Sequence, residues 1–161
     1  MTRGDDRRAA IVEAMADHLL AQGLAGASLR PLAKAAGLSD RMLLYYFEDK
    51  AAAMAAALDC VAARLTVALD ARRSPKRLPR AELERALIAT LSDDALWPAM
   101  RLWLDIVAAA ARGDPAFRMI GEAIGRGFLT WVATQLDPPE SALDVLAAIE
   151  GRIVLKAVGL R

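Results

Sequence analysis

One cysteine, Cys60, and one histidine, His18, are present in 161 residues. A lone cysteine excludes an intrachain disulfide and fits a reducing compartment. His18 has no cluster of partner ligands, which favours a structural role over a catalytic or metal-binding one. Aromatic residues make up only 5% of the chain. β-branched residues are few, and glycine and proline fall between alanine-rich blocks, so strands are disfavoured. Long apolar runs are missing too. The longest uncharged one, Ala51–Leu58, has eight residues, whereas a bilayer crossing takes about 18–20. The opening MTRGDDRRAA is too charged for a secretory signal. The expectation is a cytoplasmic protein with no membrane association. No glycine loop for phosphate, no metal-ligand spacing and no nucleophile–base arrangement is visible, so neither an enzyme nor a bound metal or cofactor is expected.

What is present is apolar mass. Hydrophobic residues reach 56%, much of it alanine, which predicts a core of closely packed helices. The net charge of +1 gives no direction by itself. Residues 1–50 carry seven basic and seven acidic side chains, so any positive surface there must come from placement rather than composition.

Periodicity divides the chain into helices. Asp6–Gln22 carries Ile11, Met15 and Leu19 at four-residue spacing, and Gly23 suits a C-cap. Ser28 is placed to cap a second helix over Leu29–Ala36, with Pro31 in its first turn. Gly37 interrupts, Ser39 caps a third helix over Asp40–Tyr46, and Leu38 and Leu43 are expected to pack inward. Two short helices about a small-residue turn make a helix-turn-helix. A fourth helix is expected over Asp49–Arg72, with Met54, Leu58, Val61, Leu65 and Leu69 in one stripe. Such a rod is long enough to join two parts of the protein. Cys60, within it, is either a small packed side chain or a redox sensor.

Ala71–Arg80 (ARRSPKRLPR) reads as a linker. Its two prolines break helix, and its five basic residues have no acid among them. It is either a solvated loop or a secondary contact to a polyanion. Helices follow over Ala81–Ser92 and Ala95–Arg112. In the latter, Trp97, Met100, Leu104, Val107 and Ala111 are expected to share one face. Arg101 and Asp105 are spaced for an ion pair or a ligand clamp. Asp114-Pro115 opens a helix over Ala116–Leu136. Its Gly121, Gly125 and Gly127 each cost up to about 1 kcal/mol relative to alanine, a cost that close approach of a second helix or a ligand would explain. The last helix, Glu140–Leu160, has apolar residues on two sides, which predicts burial against its own chain and against a partner.

The block ASLRPLAKAAGLS, the closing YYFEDK and the alanine-rich helix after it resemble the TetR family of bacterial transcriptional regulators. The resemblance is close over residues 8–58 and looser beyond. Ser39, Leu43, Tyr46, Phe47 and Lys50 match the family pattern around the third helix. Arg41, Met42 and Leu44 stand where glycine, threonine and tyrosine are common. The resemblance implies an all-α fold: an N-terminal helix-turn-helix head over residues 1–48, and a helical ligand-binding and dimerisation domain over 49–161. It implies double-stranded DNA and a small-molecule effector as partners, with a homodimer formed through residues 115–160. Repression is the family default.

On that basis the third helix is the element expected to enter the major groove. Arg41 is the candidate for a bidentate contact to guanine. Asp40 can accept from cytosine N4 or favour its own helix N-terminus. Met42 and Leu44 can meet thymine methyl groups, although Leu44 fits the core equally well. Tyr46 and Lys50 are candidate phosphate contacts, as are the hydroxyls of Ser28 and Ser39 beside helix N-termini. Tyr45 is a candidate too, but Tyr45 and Phe47 also suit closure of the core. For the effector, Leu65, Leu69, Leu91, Trp97, Met100 and Trp103 are the candidates, each with plain core packing as its alternative. A competing function is a helical ligand-binding or interaction protein that has lost DNA binding.

Overall fold

The computed structural model describes residues 3–160. The fold is all-α. Among the described residues there are eight α-helices: α1 Arg3–Gln22, α2 Leu29–Ala35, α3 Asp40–Tyr46, α4 Lys50–Asp70, α5 Arg80–Leu91, α6 Trp97–Ala111, α7 Pro115–Gln135 and α8 Ala142–Ala157. Single 3-10 turns occupy Leu24–Gly26 and Pro139–Ser141. The chain divides into two compact units with the boundary between Arg64 and Leu65, inside α4. The sequence suggested a functional division before α4. The first unit extends further because Ala53, Met54, Ala57, Leu58 and Val61 of α4 are buried.

In the first unit, α2 packs against α1 and α3. Its core holds Ile11, Met15 and Leu19 of α1, Leu32 and Ala33 of α2, Leu43 of α3, and Phe47. Two glycines in the left-handed region make the corners. Gly23 ends α1 at φ 66, and Gly37 turns the chain after α2 at φ 67. His18 is structural here. Its Nε2 lies 3.1 Å from the Gly26 carbonyl oxygen and steadies the turn after α1. A Cβ on Gly26 would lie 2.7 Å from Gln22 Cβ and 2.9 Å from His18 Nε2, so only glycine fits there without a shift. Arg64 of α4 bridges Glu13 and Asp17 of α1.

Among the described helices, α4 has the length and mean hydropathy, 1.7, that would suit a bilayer crossing. Its apolar residues have another use, because five of them form part of the first unit's core. Half-buried Cys60 also lies on α4. Burial pushes its thiol up from the ordinary value, with the Glu13 charge adding to the shift. The thiolate that redox chemistry needs is therefore disfavoured.

In the second unit, α6 packs on α7, and α8 packs on α5 and α7. The core joins Leu69, Leu83, Leu87, Leu91, Met100, Val132, Leu136, Ala142, Val145, Ile149 and Ile153. One expected face is corrected. The buried stripe of α6 is Met100, Leu102, Ile106 and Ala109, and Val107 is exposed. The buried stripe of α8 is Ala142, Val145, Ile149 and Ile153, which leaves Leu143 and Val154 in solvent. The basic segment after α4 is not a free loop along its whole length. Leu78 N–H donates to the Gln135 carbonyl at 2.8 Å, and Asp137 N–H donates to the Leu78 carbonyl at 3.0 Å.

Candidate nucleic-acid interface

The seven residues of α3 form a short rod whose position is fixed from one side. Ser39 Oγ accepts a hydrogen bond from Met42 N–H at 3.2 Å and so caps its start. Leu43 is fully buried. Phe47 follows the helix in extended backbone, buried, with the Arg8 guanidinium 4.7 Å from its ring centre. Asp49 then caps α4 by accepting from Ala52 N–H at 2.7 Å. With Leu43 and Phe47 inward, the opposite arc of α3 is left to solvent.

That arc carries most of the candidate residues. Arg41 is exposed, Met42 is 45% exposed, Leu44 42% and Tyr45 80%. The core alternatives for Leu44 and Tyr45 are therefore overturned, because Phe47 does the closing. Tyr46 is half-buried and meets Tyr45 edge to face at 5.4 Å. Ser28, Asp40 and Lys50 are exposed. Ser28 occupies the N-cap position of α2, but its side chain makes no cap hydrogen bond. Ser39 does cap, so the Met42 N–H it engages is already satisfied.

Two residues that sequence reasoning left out of the site belong beside Arg41. Arg30 and Lys34 of α2 line the same open groove of about 580 Å³ as Gly37, Leu38, Ser39, Asp40 and Arg41. Their spacing was the available clue. Leu29, Leu32 and Ala33 set the inner side of α2, and the i,i+4 pair Arg30 and Lys34 falls outside it. Among the described residues, the side chains of Arg30, Lys34, Arg41 and Lys50 have no ion-pair or hydrogen-bond partner, whereas that of Arg64 is engaged by two carboxylates. Cations displayed in this way, beside a protruding short helix, suit a polyanion with a groove.

No protein-family model matches the chain. The HTH-type transcriptional regulator BetI of Pseudomonas aeruginosa strain LESB58 is 29% identical over 153 residues, which span 92% of this chain and 77% of BetI. BetI of Ectopseudomonas mendocina is 32% identical over 118 residues, 71% of this chain and 59% of that protein. Among solved structures, the multidrug binding protein EbrR complexed with proflavin superposes with TM-score 0.69 at 27% identity, covering 94% of this chain and 89% of that one. A TetR-family transcriptional regulator from Cytophaga hutchinsonii reaches TM-score 0.75 at 21% identity, covering 99% and 87%, and supports the fold. The chain is thus similar in sequence to HTH-type transcriptional regulators, and its fold is that of the TetR family.

In this TetR-like fold the six effector candidates have different surroundings. Leu69, Leu91 and Met100 are core residues of the second unit, with Leu65 and Trp97 packed against them. The Trp97 ring also carries the Lys156 ammonium 4.2 Å from its centre. Trp103 donates its indole N–H to both Glu150 carboxylate oxygens at 3.0 and 2.9 Å. Burial raises the Glu150 carboxyl above its ordinary value, and the Trp103 hydrogen bond offsets part of that rise. A cleft of about 30 Å³ is lined by Leu69, Leu83, Leu87 and Trp131, with Arg72 and Gln135 also on it. Of the six candidates only Leu69 lines this cleft, whose volume accommodates water rather than a drug-sized molecule. Leu83 and Leu87 escaped the sequence reading although their i,i+4 spacing marks the inner stripe of α5.

Proposed function

We propose that this protein is a ligand-responsive transcriptional regulator that binds a near-palindromic DNA site as a homodimer. We further propose that it represses from that site and is released by a small apolar effector. Residues 1–48 serve as the DNA-binding domain and 49–161 as the ligand-binding and dimerisation domain, in the cytoplasm and without enzymatic activity. The observation that carries this reading is the outward arc of α3, with Arg41 at its centre, beside the unpaired Arg30 and Lys34. A protein corner serving only packing has no need of three free cations around one short helix.

Dimerisation through residues 115–160 draws support from apolar side chains left in solvent on α7 and α8: Met119, Leu143, Val154 and Leu155. The glycines of α7 point the same way. A Cβ on Gly121 would make ordinary contact, 3.5 Å from Ile106 Cγ2 of α6, while Gly125 and Gly127 face no described neighbour. Two heads related by a two-fold axis read two half-sites. An effector that enters the Leu69–Met100 core favours one packing of the second unit over another. Such coupling is typically about 1–3 kcal/mol.

Selection of genomic fragments by the purified protein, followed by titration of a selected fragment at several salt concentrations, tests the reading. Affinity is expected to fall steeply with salt. Arg41→Ala is expected to cost about 1–3 kcal/mol on the selected site, with a smaller loss on unrelated DNA. Equal losses on both would remove the base-reading role of Arg41.

A further inference from the structure

The exposed arc of α3 has a chemical order. At about 100° per residue, Arg41, Met42, Leu44 and Tyr45 span roughly 160° of the helix, centred opposite buried Leu43. Arg41 and Tyr45 occupy the middle, and Met42 and Leu44 the two edges. The fold does not require those two apolar side chains. Leu43 and Phe47 close the core, while Met42 and Leu44 remain 45% and 42% exposed. They stand where the resemblance led one to expect threonine and tyrosine, so both edges lack the hydroxyls that would hydrogen-bond.

The groove beside them fixes the partner by charge. Arg30, Lys34 and Arg41 line it with a single acid, Asp40. That balance, three minus one, suits a phosphodiester backbone rather than an apolar protein surface. On the edges of bases in the major groove, the one apolar group is the C5-methyl of thymine. Resting on the DNA-binding reading above, we propose that Met42 and Leu44 read thymine C5-methyl groups on both sides of the base pair contacted by Arg41. Sequence choice at those flanking positions then comes from burial of a methyl group, not from hydrogen bonds.

The test uses the intact protein and a selected genomic site. Each thymine of one half-site is replaced in turn by deoxyuridine, which keeps the pairing and removes only the methyl. Loss of about fourfold in affinity is expected at one or more positions flanking the Arg41 contact, the worth of one buried methyl. Met42→Ala or Leu44→Ala is expected to abolish that sensitivity at its own position, since the coupling disappears with either partner. Both side chains are exposed, so the variants should fold, and the deoxyuridine series on the unaltered protein is independent of them. Equal affinity for thymine and uracil at every position overturns the proposal while leaving DNA binding intact. Sensitivity that persists unchanged in both variants assigns the methyl contact to other residues and overturns it as well. Failure to select any DNA removes the parent reading, and the inference with it.

Discussion

The two compact units differ in what surrounds their exposed apolar side chains. The first buries Ile11, Met15, Leu19, Leu32, Leu43 and Leu58 to within 2% exposure and shows large apolar side chains only on the outward arc of α3, at Met42, Leu44 and Tyr45, among the described residues. Beside that arc it leaves cations unpaired, at Arg30, Lys34, Arg41 and Lys50. The second unit pairs several of its cations, Arg80 with Glu84 and Asp144, and Arg126 with Glu122. Its surplus is apolar, with Met119 73% and Leu143 65% exposed on α7 and α8. A surface of free cations asks for a polyanion, and a surface of free methyl groups asks for another such surface. The contrast separates the two proposed partners, DNA and a second copy.

The largest effect should come from breaking the apolar side of that contrast. Leu143→Asp combined with Val154→Asp puts two charges on the exposed face of α8 without touching its buried stripe. Dimer affinity is expected to fall at least about 100-fold, or ~3 kcal/mol, with helicity unchanged. Sedimentation velocity over a dilution series reads the result, and a dimer that persists would move the interface elsewhere.

A smaller effect tests how tightly the first unit is closed. Gly26→Ala forces a Cβ against Gln22 Cβ and His18 Nε2. Overpacking of this kind typically costs about 1–3 kcal/mol. Denaturant unfolding followed by circular dichroism measures it, and an unchanged midpoint would mean that the turn yields freely. Ser39→Ala removes the α3 cap and is expected to cost ~1 kcal/mol in the same assay. Its effect on DNA affinity should exceed that of Ser28→Ala, because Ser28 makes no cap bond.

The smallest effect concerns the paired charges of the first unit. The Arg64 guanidinium, chiefly by hydrogen bonding, holds the Glu13 carboxyl below its ordinary value. A depressed folded value means that the stabilisation is complete above the ordinary carboxylate range and fades as pH falls through the folded value. The unfolding midpoint of the parent protein should therefore drop more between about pH 6 and pH 3 than that of Glu13→Gln. Parallel pH curves would show that this exposed pair contributes nothing measurable.

Legibility in the sequence followed the same division. The limits of α3, its Ser39 cap and its Leu43 anchor could be read because each rests on local chemistry: a cap, a turn glycine and one apolar phase. Tyr45 was harder. An aromatic beside Phe47 suits a core by type, and only the extended backbone at Phe47 decides which ring turns inward. In α6 the run Leu102–Ala111 is apolar almost all round, so two stripes compete and periodicity cannot rank them. The neighbours α7 and α8 chose Leu102 and Ile106 over Val107. The effector candidates share this difficulty, since packing of distant helices decides whether Leu69 or Trp103 borders a cleft. Arg30 and Lys34 joined the candidate interface for the reverse reason. Their helix is short and its phase is clear, but the groove arises only where α2 meets α3.

The main-chain bridge at Leu78 gives the basic segment an unusual tolerance. Its beginning is held by Asp70, whose carboxylate accepts from the Trp131 indole at 2.8 Å, and its end by the bonds from Leu78 to Gln135 and Asp137. Both anchors lie on or just after α7. Residues 71–77 therefore hang between two fixed points on one helix, like a handle. Lengthening that span would enlarge the handle without moving either attachment, so charge and length can vary there while α5 keeps its starting point.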